Sequence, residues 1–147
     1  PRGVTGFRDL LRRGVVFANR NRGSGTRALV DEELRRLAEL EGVPLARLLS
    51  AVKGYKSEYP THVSVAYAVA SGRADVGVAV EWAARLFDLD FVPLREERYD
   101  FVVLRRALGS RGVAAFIEAL RSEEVRRGLE ALGLLPGEDS GEVLEKG

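Results

Sequence analysis

Two hydrophobic periods alternate along this chain. Phe7, Leu10 and Leu11 fall on one face of a helix over residues 5–13, opened by Thr5 and ended by Gly14. Val15, Val16, Phe17 and Ala18 form a short apolar run with β-branched residues, which reads as a buried strand. The polar glycine loop Asn19-Arg20-Asn21-Arg22-Gly23-Ser24-Gly25 follows it. A helix then runs from Thr26 to near Leu40, with Leu29, Val30, Leu34, Leu37 and Leu40 roughly on one face and Gly42 beyond its end. Pro44 opens a helix over 44–52, since proline suits the first helical turn. Residues 53–60 are a polar connection holding Tyr55 and Tyr59.

Thr61 caps a helix over 61–71, with Val65, Ala66, Val69 and Ala70 inward and Gly72 past its end. Residues 74–80 read as a buried strand, 81–87 as a short helix, and 91–94 and 99–104 as two further strands. Helices follow over 110–121 and 122–132, the second capped by Ser122 with Glu123 and Glu124 in its first turn. The tail from Leu134 reads as a turn. Strands alternating with helices predict an α/β fold, a mostly parallel sheet flanked by helices.

Composition narrows the chemistry. The chain has 147 residues, 46% of them hydrophobic, which suits one domain with a real core. Lys and Arg number 23 against 22 Asp and Glu, so the net charge of +1 gives no general pull toward nucleic acid or an anionic membrane. Direct nucleic-acid and membrane partners are therefore not expected. The absence of Cys excludes disulfides, thiolate metal sites and thiol nucleophiles, and one histidine, His62, excludes a His-rich metal site within one chain. The longest apolar run, residues 65–70, is far short of a membrane span. The start Pro1-Arg2-Gly3-Val4 resembles no signal peptide and lacks Met, which reads as a processed chain or a fragment. A cytoplasmic location is expected. The 20 arginines, with no Cys or Met, point to a GC-rich or heat-adapted source.

The stretch richest in chemistry is strand–Asn-Arg-Asn-Arg-Gly-Ser-Gly-Thr–helix. A glycine loop entering a helix presents unpaired backbone N–H groups at the positive end of the helix dipole, which favours an anion. Ser24 and Thr26 add hydroxyls, and Arg20, Arg22 and Arg27 add positive charge nearby. The alternative is a tight turn in which Gly25 permits close packing and Ser24 or Thr26 caps the helix. Neither a Walker loop nor G-x-G-x-x-G is present. Thr61-His62 is a second helix start, and His62 is either a donor to a ligand oxygen or a hydrogen-bonded structural residue. Tyr55 and Tyr59 either rim a pocket or cover a core edge. Asp75, in an apolar strand, is either paired with an arginine or turned into a polar cleft. Glu96, Glu97 and Asp100 flank Tyr99 as strand-end charges, and Trp82 reads as core. No nucleophile–base pair is visible, so no catalytic residue is expected.

Five motifs in order carry a family resemblance. They are Phe17-x-Asn19-Arg20-x-x-Gly23-Ser24-Gly25-Thr26-Arg27; Gly54-Tyr55; Thr61-His62-x-x-Val65-Ala66; Gly72-x-Ala74-Asp75-x-Gly77; and Leu89-Asp90-Phe91-x-Pro93-Leu94 with Glu97-x-Tyr99-Asp100. Together they resemble the periplasmic-binding-protein-like domain of prokaryotic molybdenum-related proteins. That domain occurs behind molybdopterin-molybdotransferase or helix-turn-helix modules and is similar to molybdate and tungstate binding proteins, more distantly to LysR-type effector domains. The resemblance implies a type II binding-protein fold of two lobes around a ligand cleft. Residues 5–97 would be the second lobe. Residues 98–147 would be a return segment of the first lobe, whose N-terminal part is missing. It implies a non-catalytic module for a small anion, an oxyanion such as molybdate or tungstate, linked to molybdenum cofactor biosynthesis or its regulation. The alternatives are a structural or dimerising remnant of such a domain, or an accessory part of a molybdopterin biosynthesis enzyme. No resident cofactor or metal is implied. The ligand-binding residues would be Ser24, Gly25, Thr26, Arg27, Tyr55, Thr61, His62, Asp75, Glu97 and Tyr99, and a missing lobe implies a homo-oligomer or a covering partner.

Overall fold

A computed structural model of the chain describes residues 3–144. The chain divides into two compact units, Pro1–Leu94 and Arg95–Gly147. The first is built on β1 (Phe17–Arg20), whose four residues are all buried. Val15 and Phe17 join one apolar cluster, and Val16 and Ala18 pack into another. Successive strand side chains point to opposite faces, so an unbroken apolar run serves two cores at once. β1 lies in the middle of a parallel sheet of order β2-β1-β3, between β2 (Glu58–Tyr59) and β3 (Val76–Gly77).

Helices α1 (Gly25–Leu40) and α2 (Leu45–Ala51) cover the Phe17 face through Val30, Leu34, Ala38 and Leu48. Helix α3 (His62–Ala70) covers the Ala18 face through Val65 and Ala68, and α4 (Glu81–Arg85) follows β3. The unit is a helix–sheet–helix sandwich of the α/β class. Two glycines let neighbouring elements approach closely. A Cβ on Gly54 would lie 2.2 Å from the Phe17 carbonyl oxygen, and its φ of +91° is one that side chains disfavour. A Cβ on Gly77 would lie 2.4 Å from a Val65 methyl group, so glycine there lets α3 settle onto β3.

The structure departs from the sequence pattern in several places. The first helix is a short 3₁₀ turn, Phe7–Leu11, and α1 begins at Gly25 with Ser24 as its cap. On α1, Ala38 is buried while Leu40 is 77% exposed; on α3, Ala68 takes the inward place expected of Ala70. The polar connection contains β2, and the strand expected over 74–80 is two residues long. Residues 91–94 and 99–104 form no strand. Their composition favours extended chain, but a strand exists only where a neighbour completes its ladder, and no described segment does so.

The second unit holds a 3₁₀ turn (Arg105–Ala107), α5 (Arg111–Arg121) and α6 (Glu123–Ala131). Ser110 and Ser122 cap the two helices by accepting from the Val113 and Val125 amides at 3.3 Å. Arg98 pairs with Asp100 at 2.9 Å and Asp139 at 2.7 Å, which holds its pKa above the ordinary arginine value. Phe101 meets Phe116 edge to face at 4.9 Å between ring centres. None of the unit's described residues is buried. No helix among the described residues is long and apolar enough to cross a membrane.

Candidate functional site

The parallel sheet places the carboxyl ends of β1 and β2 side by side. The chain leaves β1 through residues 21–24 into α1, on the Phe17 face. It leaves β2 through Pro60 and Thr61 into α3, on the Ala18 face. Neighbouring strands whose helices depart on opposite faces leave a crevice between their ends, the usual ligand position in an open α/β sheet. Two helix N-termini therefore meet one sheet edge.

At α1, the Ser24 hydroxyl accepts from the Arg27 amide at 3.1 Å and donates to the Asn21 carbonyl at 3.0 Å. Ser24 thus serves the turn itself. The Ala28 amide donates to the Ser24 carbonyl at 3.1 Å, and helix geometry leaves the Gly25 and Thr26 amides for an outside acceptor. At α3, Thr61 and Ser64 form a reciprocal cap, each side-chain oxygen accepting the other's amide at 3.0 Å. His62 Nδ1 accepts from the Val80 amide at 3.3 Å, tying the start of α3 to that of α4. A concavity of ≈ 260 Å³ in front of α1 is lined by Arg22, Gly23, Ser24, Gly25, Arg27, Ala28 and Asp31.

The three arginines of this edge differ sharply. Arg27 is 4% exposed. Its Nε donates to Asp31 at 2.8 Å, and Nη1 donates to Glu58 and to the Arg20 carbonyl, both at 3.3 Å. Its guanidinium carbon stands 4.6 Å from the centre of the Tyr55 ring, and the Tyr55 hydroxyl donates to the same Asp31 oxygen at 2.9 Å. Burial is the largest single influence and pulls the Arg27 pKa down, but the interactions with Asp31 and Tyr55 together outweigh it and hold it above the ordinary value. Arg22 is exposed and reaches Glu58 at 3.3 Å. Arg20 is 9% exposed. Its Nη2 donates to the Pro60 carbonyl at 3.2 Å, while Nε and Nη1 are buried with no acceptor among the described residues. The buried Asn21 Oδ1 likewise has no donor among them.

Ser24, Gly25, Thr26, Arg27, Thr61 and His62 thus stand at one sheet edge, with the Tyr55 ring stacked beside Arg27. Asp75 stands at the opposite, amino edge. Its carboxylate accepts from the Val16 amide at 2.8 Å, just before β1. Glu97 and Tyr99 belong to the second unit, both exposed. In the sequence Arg20 reads only as positive charge near the glycine loop. The signal was there: a long cation closes a strand buried on both sides, two residues after Ala18 and therefore on the same face. Among the described residues, no group of three or more His, Asp or Glu could hold a metal.

Residues 1–121 match the family model described as the PBP superfamily domain. "Uncharacterized protein YvgK" of Bacillus subtilis is 35% identical over 144 residues, covering 98% of this chain and 44% of that protein. "Uncharacterized protein in ferredoxin 2Fe-2S gene 5'region" of Clostridium pasteurianum is 27% identical over 95 residues, covering 64% of this chain and 84% of that protein. The chain thus spans less than half the length of the first relative. No solved structure matches.

Proposed function

This chain belongs to the PBP superfamily, and we propose that it is a non-catalytic binding domain for a small anion, held at the shared edge of β1 and β2. The observation that carries the reading is the convergence of two helix starts, α1 and α3, on the crevice between those strands. Each presents backbone N–H groups and the positive end of a helix dipole, which together favour an anion without a metal. The ligand we favour is a tetrahedral oxyanion such as molybdate or tungstate, and the role one in molybdenum cofactor biosynthesis or its regulation, in the cytoplasm. The ordered motifs support that assignment through their resemblance to molybdenum-related binding domains. The same resemblance supports a type II arrangement with 5–97 as one lobe and 98–147 as a return segment of the other. A second reading, a dimerising remnant, is favoured by the second unit, where Phe101, Val102 and Leu104 are 63–98% exposed.

Calorimetric titration with molybdate, tungstate, sulfate and phosphate tests the proposal. Saturable binding is expected, weakened about tenfold or more in Gly25→Pro, since a hydrogen bond to a charged group is worth about 1.5–3 kcal/mol. That substitution removes one anion-facing amide while keeping the helix: proline suits the first helical position, and Ser24 already has φ −79° and ψ 146°, the conformation a following proline demands. Binding of none of the four would sink the oxyanion reading.

A further inference from the structure

We propose that Arg20 is the charge-bearing donor of this anion site, so that the ligand's negatively charged oxygen sits on the α3 face of the sheet, against the first turn of α3. The inference rests on the binding-domain reading and adds to it a full counter-charge and a position.

Burial is the first support. An arginine 9% exposed, with two of its three guanidinium nitrogens buried and bonded to nothing among the described residues, is costly to hold unpaired. The acids of this edge are engaged elsewhere. Asp31 pairs with Arg27, Glu58 with Arg27 and Arg22, and no carboxylate among the described residues lies within ion-pair distance of Arg20. Placement is the second support. Arg20 follows Ala18 by two residues, and Ala18 packs with Val65 and Ala68 of α3. Its one bond, to the Pro60 carbonyl, fixes the guanidinium beside the residue that precedes the α3 cap. A cation at a helix N-terminus is repelled by the dipole, so the site is unfavourable twice over. An anion between the two relieves both costs. The ligand chemistry is an oxygen carrying formal negative charge, supplied by a tetrahedral oxyanion or by a small carboxylate.

The test compares the full chain with Arg20→Met and Arg20→Lys in chloride-free buffer. Molybdate and sulfate are titrated as tetrahedral oxyanions, acetate and oxalate as carboxylates, and whichever arm binds identifies the source. Affinity is expected to fall about a hundredfold in Arg20→Met and less in Arg20→Lys, as loss of a charge-assisted bond requires. Arg20→Met is also expected to melt higher than the parent without anion, because a hydrophobic side chain replaces an unpaired buried charge. Unchanged affinity together with a lower melting temperature overturns the inference and makes Arg20 a structural residue bonded to buried water. If Arg20→Met does not fold, Arg20→Lys decides, unchanged affinity with weakened binding in Gly25→Pro overturning Arg20 alone. A parent chain that binds none of the four probes removes the binding-domain reading and this inference together.

Discussion

Asp9 organises the chain's first turn from a half-buried position. One of its carboxylate oxygens accepts from the Thr5 amide at 2.7 Å, the Thr5 hydroxyl at 3.1 Å and the Gly6 amide at 3.2 Å, and the other meets Arg12 at 2.6 Å. The Thr5 amide bond is the main cause holding its pKa below the ordinary 3.8, with the Thr5 hydroxyl, Arg12 and Gly6 adding to it against some desolvation. A depressed folded-state pKa means stability present above the unfolded value and lost as pH falls through the folded one. Asp9→Asn should therefore melt below the parent at pH 7, and the gap should close below pH 3.8, as thermal melts across pH would show. At the candidate site, Arg27 and Tyr55 have the chemistry of ligand contacts, and Asp31 holds both in place, accepting from the Arg27 guanidinium and the Tyr55 hydroxyl.

The elements differ in how much of themselves the sequence discloses. β1 and the helices were legible because local signals specify them: an apolar run bounded by polar turns, 3.6-residue periodicity, and Ser or Thr at the caps. Residues 91–94 and 99–104 were misread because strand propensity states only that a segment fits a sheet, and pairing depends on partners far along the chain. The reverse error befell Glu58 and Tyr59, two polar-flanked residues that become β2 because β1 offers them a ladder. Hydrogen exchange separates the two cases. The Phe17 and Asn19 amides, bonded to the Lys53 carbonyl at 2.8 Å and the Ser57 carbonyl at 3.1 Å, should exchange among the slowest. Amides of residues 100–103 should exchange nearly as fast as an open chain, and slow exchange there would mean a pairing partner exists in solution.

For the molecule as a whole, the two units differ in self-sufficiency. The first owns both apolar clusters and the proposed anion site; the second has a ring contact, two capped helices and no buried residue among those described. Brief trypsin digestion should cut first at Arg95 or Arg98, both exposed, and leave a resistant fragment ending there. Mass spectrometry of the digest checks this; a first cut inside β1 or α1 would contradict it. The unequal faces of β1 have a further effect. Phe17 fills a broad layer of leucines and valines, whereas Ala18 meets β3 at Gly77, where not even a methyl group fits beside Val65. A one-residue slip would push the phenyl ring into the gap kept for a methyl and turn Arg20 toward the α1 side. Side-chain size thus proof-reads the alignment of the sheet while it assembles, and a wrongly zipped copy should be rejected before its guanidinium is ever aimed.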